Sequence, residues 1–279
     1  MASDLSTTEV TEATDITKPD VSPVDRPSLP VLPAQRKTRM RFVFIYGVLA
    51  LALGAAIAGV VVYAGNVVHP GPAWSSWKPS GGGLGAAKQI ADHVSKQYHL
   101  PSGEQLVDVL AKPPSVSPSN QQIPIHYLAV RGKKQTGDQV VPISDGDTVQ
   151  YSLCGLGDSC SIAAGKPSVQ RGTLVRREIL ELALYTFRYV GGVKNVIAFM
   201  PPTPGSTPKY AVYLNRDELS QQLHAPLKQT LSKKTPLPNT ITRKDQQTVD
   251  AATESRVFSF GLSQAQNGDA VLVLAPLPA

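Results

Sequence analysis

The sequence predicts an α+β protein: a single transmembrane helix followed by an exported domain, in which a mostly antiparallel or mixed sheet packs on one central buried helix. Three observations lead there. An uncharged apolar run, FVFIYGVLALALGAAIAGVVVYAG, begins at Phe42. Downstream, short extended stretches bounded by Pro and Gly clusters come in adjacent groups rather than in strict alternation with helices. Between two such groups lies TLVRREILELALYTFRYV, Thr173 to Val190, apolar around most of its circumference.

Residues 1–41 are rich in Thr, Ser, Asp, Glu and Pro and lack apolar periodicity, which predicts a disordered tail with a basic end. The run Phe42–Ala64 is 23 residues long. As a helix it would extend about 35 Å, enough to cross a hydrocarbon core of about 30 Å. A leader of 41 residues and so long a run fit a retained signal-anchor better than a cleaved signal peptide.

Arg36, Lys37, Arg39 and Arg41 stand just before the run, and no Lys or Arg lies between Asn66 and Trp77. That asymmetry predicts a plasma-membrane protein, single-pass, with its N-terminus in the cytoplasm and its C-terminal domain extracytoplasmic. Residues 65–85, including SSWKPSGGGLG, are expected to be a flexible tether. Trp74 and Trp77 in it would rest at the headgroup layer or pack on the domain. The exported domain is expected to span residues 86–279.

On the oxidising side of a membrane the two cysteines, Cys154 and Cys160 in LCGLGDSC, are expected to close into a structural disulfide. A redox-active pair and two unpaired buried thiols are the other readings. No histidine lies near either cysteine in sequence, and the spacing is not that of a zinc site.

Within the domain, Ile90, Val94 and Tyr98 recur four apart and predict a short helix over 86–98. Strands are expected over 105–111, 123–130, 139–143 and 148–154, with one more over 161–164. The central helix would start at a Thr173 cap and stop at Gly191-Gly192. On its wheel Arg177, Glu181 and Arg188 fall within about 40°, and Glu178 widens this polar stripe to about 100°. Strands over 195–200 and 209–214, helices over 217–223 and 245–254, and a closing hairpin turned at Asn267-Gly268 complete the reading.

No nucleophile elbow, metalloprotease helix, phosphate loop or dinucleotide fingerprint occurs, so no cofactor, metal or catalytic residue is assigned. His126 alternates with Leu128 and Val130 and reads as a packed strand histidine. Asp145-Gly146-Asp147 reads as a turn rather than a calcium loop, whose later oxygen ligands are missing. Glu178 and Glu181 form a candidate carboxylate pair, but ion pairing with Arg177 explains them more simply.

Six of the 27 basic and six of the 21 acidic residues precede Gly65, so the whole +6 lies after it. That excess is spread thinly along the chain, which predicts no nucleic-acid partner. No Asn-x-Ser/Thr sequon occurs, which suits a bacterial cell envelope. The expectation is a non-catalytic interaction or scaffold protein whose partners are the lipid bilayer and another membrane or envelope protein. Its alternatives are a ligand-sensing receptor and an exported hydrolase or transferase with a discontinuous site.

Overall fold

The computed structural model describes residues 73–117, 122–132, 137–163 and 167–277. Helix α1 (Gly83–Ser95) opens the domain, followed by strands β1 (Asp108–Lys112), β2 (Ser115–Val116), β3 (Ile123–Val130), β4 (Gln139–Pro142) and β5 (Thr148–Cys154). The long helix α2 (Val169–Tyr189) leads to strands β6 (Asn195–Phe199) and β7 (Tyr210–Asn215). Two short helices, α3 (Ser220–His224) and α4 (Leu227–Thr230), precede α5 (Arg243–Thr253) and the hairpin β8 (Val257–Gln264) and β9 (Ala270–Pro276).

The nine strands form one mixed sheet in the order β1-β5-β6-β7-β8-β9-β3-β2, with β4 also on β3. β5 with β6, and β3 with β9, are parallel; the other pairs are antiparallel. The path starts and ends on one run of chain. β1 pairs with β5, Pro113-Pro114 turns the backbone, and β2 pairs with β3. At that corner the Ser115 amide donates to Oε1 of buried Gln150 at 2.8 Å. The sheet is thereby bent nearly into a barrel.

Closure gives the sheet a core on each face. Val196 and Ala198 of β6 join the core that holds α1, α2 and α5, while Ile197 and Phe199 join a second core with Ile125, Phe258, Leu272 and Leu274. β6 is therefore buried at all five positions, as a strand covered on both faces must be. Its neighbour β7 divides the same way, Val212 and Leu214 to one side and Ala211 to the other.

The predicted fold class is corrected on two counts. A mixed, nearly closed barrel surrounded by several helices replaces a sheet packed on one helix. In addition, no helix among the described residues is long and apolar enough to cross a membrane. The longest, α2, has 21 residues but carries six charged ones, and placing those in hydrocarbon is costly. The single-pass anchor and the plasma-membrane localisation are corrected with it. The run Phe42–Ala64 and the basic residues Arg36, Lys37, Arg39 and Arg41 lie outside the described residues.

Other boundaries moved for local reasons. Ser168, not Thr173, caps α2: its Oγ accepts from the Arg171 amide at 3.3 Å, and Thr173 sits a turn inside, donating to the Val169 carbonyl. Gly192, at φ +81°, follows the helix end as expected. Residues 161–163 form no strand, and His126 is exposed rather than packed. α1 starts at Gly83, within the stretch read as a tether, and Trp74 of that stretch is buried edge-on against Tyr185 and Tyr189. Cys154 and Cys160 are joined by a disulfide.

Candidate functional site

Helix α2 presents Arg177, Glu181 and Tyr185 at successive turns, and that line faces inward. Arg177 is 1 % exposed, Glu178 fully buried and Glu181 6 % exposed; of the predicted polar stripe only Arg188 reaches solvent. A charge in such a place needs partners. Arg177 Nε donates to Asp245 Oδ2 at 3.2 Å and its Nη1 donates to the Tyr98 hydroxyl and to Glu181 Oε2 at 3.3 Å. Nη2 donates to the Ser232 carbonyl at 2.8 Å. One guanidinium thus gathers four segments of chain, which its planar fork of five N–H donors allows and an ammonium would not.

The partners are fixed in turn. Tyr98 lies just beyond α1 and donates its hydroxyl proton to Glu181 Oε2 at 2.6 Å. Asp245 sits in the first turn of α5, where the helix dipole favours its charge. Its Oδ1 accepts from the Ser232 amide at 3.0 Å and its Oδ2 from the Ser232 hydroxyl. Burial pushes the Glu181 carboxyl above its ordinary range, and the Arg177 charge and the Tyr98 hydrogen bond pull it partly back. Glu178 has neither brake. Burial and the neighbouring Glu181 raise it well above its ordinary value of 4.5, and both its oxygens are buried without a hydrogen-bond partner among the described residues.

Above this network opens a cleft of about 400 Å³. α1 contributes His93 with Gln97 just beyond it, α2 contributes Glu181 and Tyr185, and Trp74 and Ser75 form another side. Lys228, Ser232 and Lys233 complete the rim. His93 stacks on Trp77 with centroids 3.8 Å apart, and burial lowers its pKa despite the opposing charge of Asp92. Both bonds to Glu181 fall on Oε2, so Oε1 has acceptor capacity to spare. Among the described residues the buried Trp74 Nε1 finds no acceptor. Ser75 Oγ donates to the Trp77 carbonyl and shares a 2.9 Å hydrogen bond with the Tyr189 hydroxyl, holding this segment on α2.

Two other depressions differ in character. One of about 140 Å³ between the start of α2 and Met200–Pro204 is mainly apolar. Another of about 540 Å³ surrounds Asp147, Lys194 and Asn195; there Asn195 Oδ1 accepts from the Tyr213 hydroxyl and the Asn215 amide. Neither has a buried ion pair beneath it among the described residues.

Sequence reasoning singled out Arg177, Glu178 and Glu181 and missed Tyr98, Ser232 and Asp245. Those three lie 79, 55 and 68 residues from Arg177 along the chain, and no spacing rule connects them. Cys154 and Cys160 lie away from the cleft. Among the described residues no group of three or more His, Cys, Asp or Glu side chains could hold a metal ion. No family model, no curated protein and no solved structure matches the chain.

Proposed function

We propose that this domain is a non-catalytic interaction domain that seats its ligand, or an exposed group of a partner, in the Glu181 cleft. The observation that carries the reading is the Arg177–Glu181–Tyr98 arrangement at the cleft floor. It holds one carboxylate oxygen on two donors while the other keeps acceptor capacity. A polar group locked by buried partners is pre-organised for recognition, because its orientation is settled before a ligand arrives. The walls fit the same role: Tyr185 and His93 supply rings, and Gln97, Ser75 and Ser232 supply hydrogen-bonding side chains. A volume of about 400 Å³ falls within the roughly 300–1,000 Å³ of small-molecule sites.

Fragment screening of the isotope-labelled full chain by NMR tests this. Shifted amide signals should concentrate on 93–98, 181–185 and 227–233, and Gln97→Ala with Tyr185→Ala should remove them. Fragments gathering instead around Asp147 and Lys194, or binding nowhere, would defeat the reading.

A further inference from the structure

Resting on the reading of the Glu181 cleft as a binding site, we propose that its ligand is a carboxylated saccharide, hydroxyls toward Glu181 and carboxylate toward Lys228 and Lys233. The groups of the cleft exclude three other classes of ligand. A cationic ligand seeks a carboxylate whose charge is unspent. Here Glu181 is already bonded by Arg177 at 3.3 Å, and the two exposed lysines on the rim repel a second cation. A polyanion such as a nucleic-acid strand fares badly too, because the floor it would meet is a carboxylate. A purely apolar ligand would strip water from Glu181 Oε1 and from the remaining hydrogen-bonding capacity of Gln97 and Ser232 without replacing it, each at a cost.

A polyhydroxylated ring escapes all three objections. Its hydroxyls are both donors and acceptors, so one can donate to Glu181 Oε1 while others meet the Gln97 amide and the Ser232 hydroxyl. The C–H faces of such a ring are apolar and pack on aromatic side chains such as Tyr185 and His93. The lysines add a preference. Among the charged residues lining the cleft, Lys228 and Lys233 are cations and Glu181 is the one anion, so a ligand with one carboxylate at its outer end completes the charge pattern. His93, its pKa lowered chiefly by burial, adds a neutral ring at pH 7 rather than a third cation.

The test is a titration of the labelled full chain with glucuronyl-maltose (maltotriose with its terminal glucose oxidised to glucuronate, one carboxylate), maltotriose and spermidine. Glucuronyl-maltose should shift the signals of His93, Gln97, Tyr185 and Lys233 and bind at least fivefold more tightly than maltotriose. Lys228→Ala with Lys233→Ala, two exposed changes that leave the core intact, should erase that preference, the two saccharides then binding within about twofold of one another. Spermidine binding more tightly than either saccharide would overturn the proposal, as would a preference that survives loss of both lysines. Fragments occupying the cleft while neither saccharide does would overturn it and leave the binding-site reading standing. Failure of the fragments as well would remove both.

Discussion

Arg177 and Glu181, one turn apart on α2, form a buried ion pair at 3.3 Å bridged by the hydroxyl of Tyr98. The pair lies at the junction of α1, α2, α5 and the segment after α4. Its stability consequence follows from what each partner would do alone. Arg177→Met leaves Glu181 and Asp245 without their cation, and removing one member of a buried pair costs about 3–5 kcal/mol. Arg177→Lys should recover only part of that, since an ammonium cannot span Asp245, Tyr98, Glu181 and the Ser232 carbonyl at once. Urea unfolding of the three proteins measures it; a lysine variant as stable as the parent would refute the four-way role of the guanidinium.

Glu178 makes stability fall with rising pH. Its carboxyl is raised well above 4.5 in the folded chain, by burial first and by Glu181 second. Above 4.5 an unfolded chain releases this proton while the folded one keeps it, so folding binds a proton and each step up in pH weakens it. The contribution is full below 4.5 and is lost progressively as pH rises towards the raised folded value. Glu178→Leu removes two buried oxygens without partners. It should stabilise the domain at neutral pH by about 1–3 kcal/mol and flatten the pH dependence. Thermal melts from pH 4 to pH 8 check both; a parent protein that grows more stable across that range would contradict the assignment.

The disulfide loop rests on two glycines, and on Gly155 more than on Gly157. A Cβ at Gly155 would meet the Ser161 carbonyl oxygen at 2.0 Å, whereas at Gly157 the same oxygen is 2.9 Å away. Both amides bond back across the loop, Gly155 N to the Cys160 carbonyl at 2.7 Å and Gly157 N to that of Ser161 at 2.8 Å. Closing this loop is worth about 2 kcal/mol in the chain-entropy account. Gly155→Ala should lose most of that and refold with a large fraction of free thiol, while Gly157→Ala, whose Cβ meets the same backbone oxygen less closely, should show a smaller rise in free thiol. Thiol alkylation followed by non-reducing mass spectrometry separates them, and equal thiol content in the two variants would count against the close approach.

These sites mark where the sequence was legible. β3 and β5 occupy the residues that alternation and turn signals assigned to them, because both effects act within a few residues. The Cys154–Cys160 disulfide is where the sequence placed it, although it was expected from an oxidising compartment beyond a membrane anchor, the part of the reading corrected above. The central helix was visible as well, and the ion pairing read into its polar stripe is present between Arg177 and Glu181, but nothing in the stripe showed that it is buried. A helical wheel shows which residues share a face and not what covers it. Here Tyr98, α5 and the chain around Ser232 cover Arg177 and Glu181, and Glu178 is fully buried as well. The barrel-like closure was hidden for a similar reason: it depends on Pro113-Pro114 carrying one run of chain from β5 to β3, a pairing between distant strands.

Arg216 terminates α2 from outside it. The last carbonyls of a helix lack intrahelical donors, and the guanidinium of Arg216, lying just after β7, supplies them. Its Nη2 donates to the carbonyls of Phe187 and Val190, and its Nε to that of Val193 at 2.9 Å. The cation also stands at the negative end of the helix dipole and 5.8 Å from the centre of the Phe187 ring. Arg216→Ala should therefore cost about 1–3 kcal/mol, the range for hydrogen bonds to a charged group. The loss should be local, with faster amide hydrogen exchange over the last turn of α2 and unchanged protection at Arg177. If exchange rises equally at both ends of the helix, Arg216 is holding the whole element rather than its end, and the capping role is wrong.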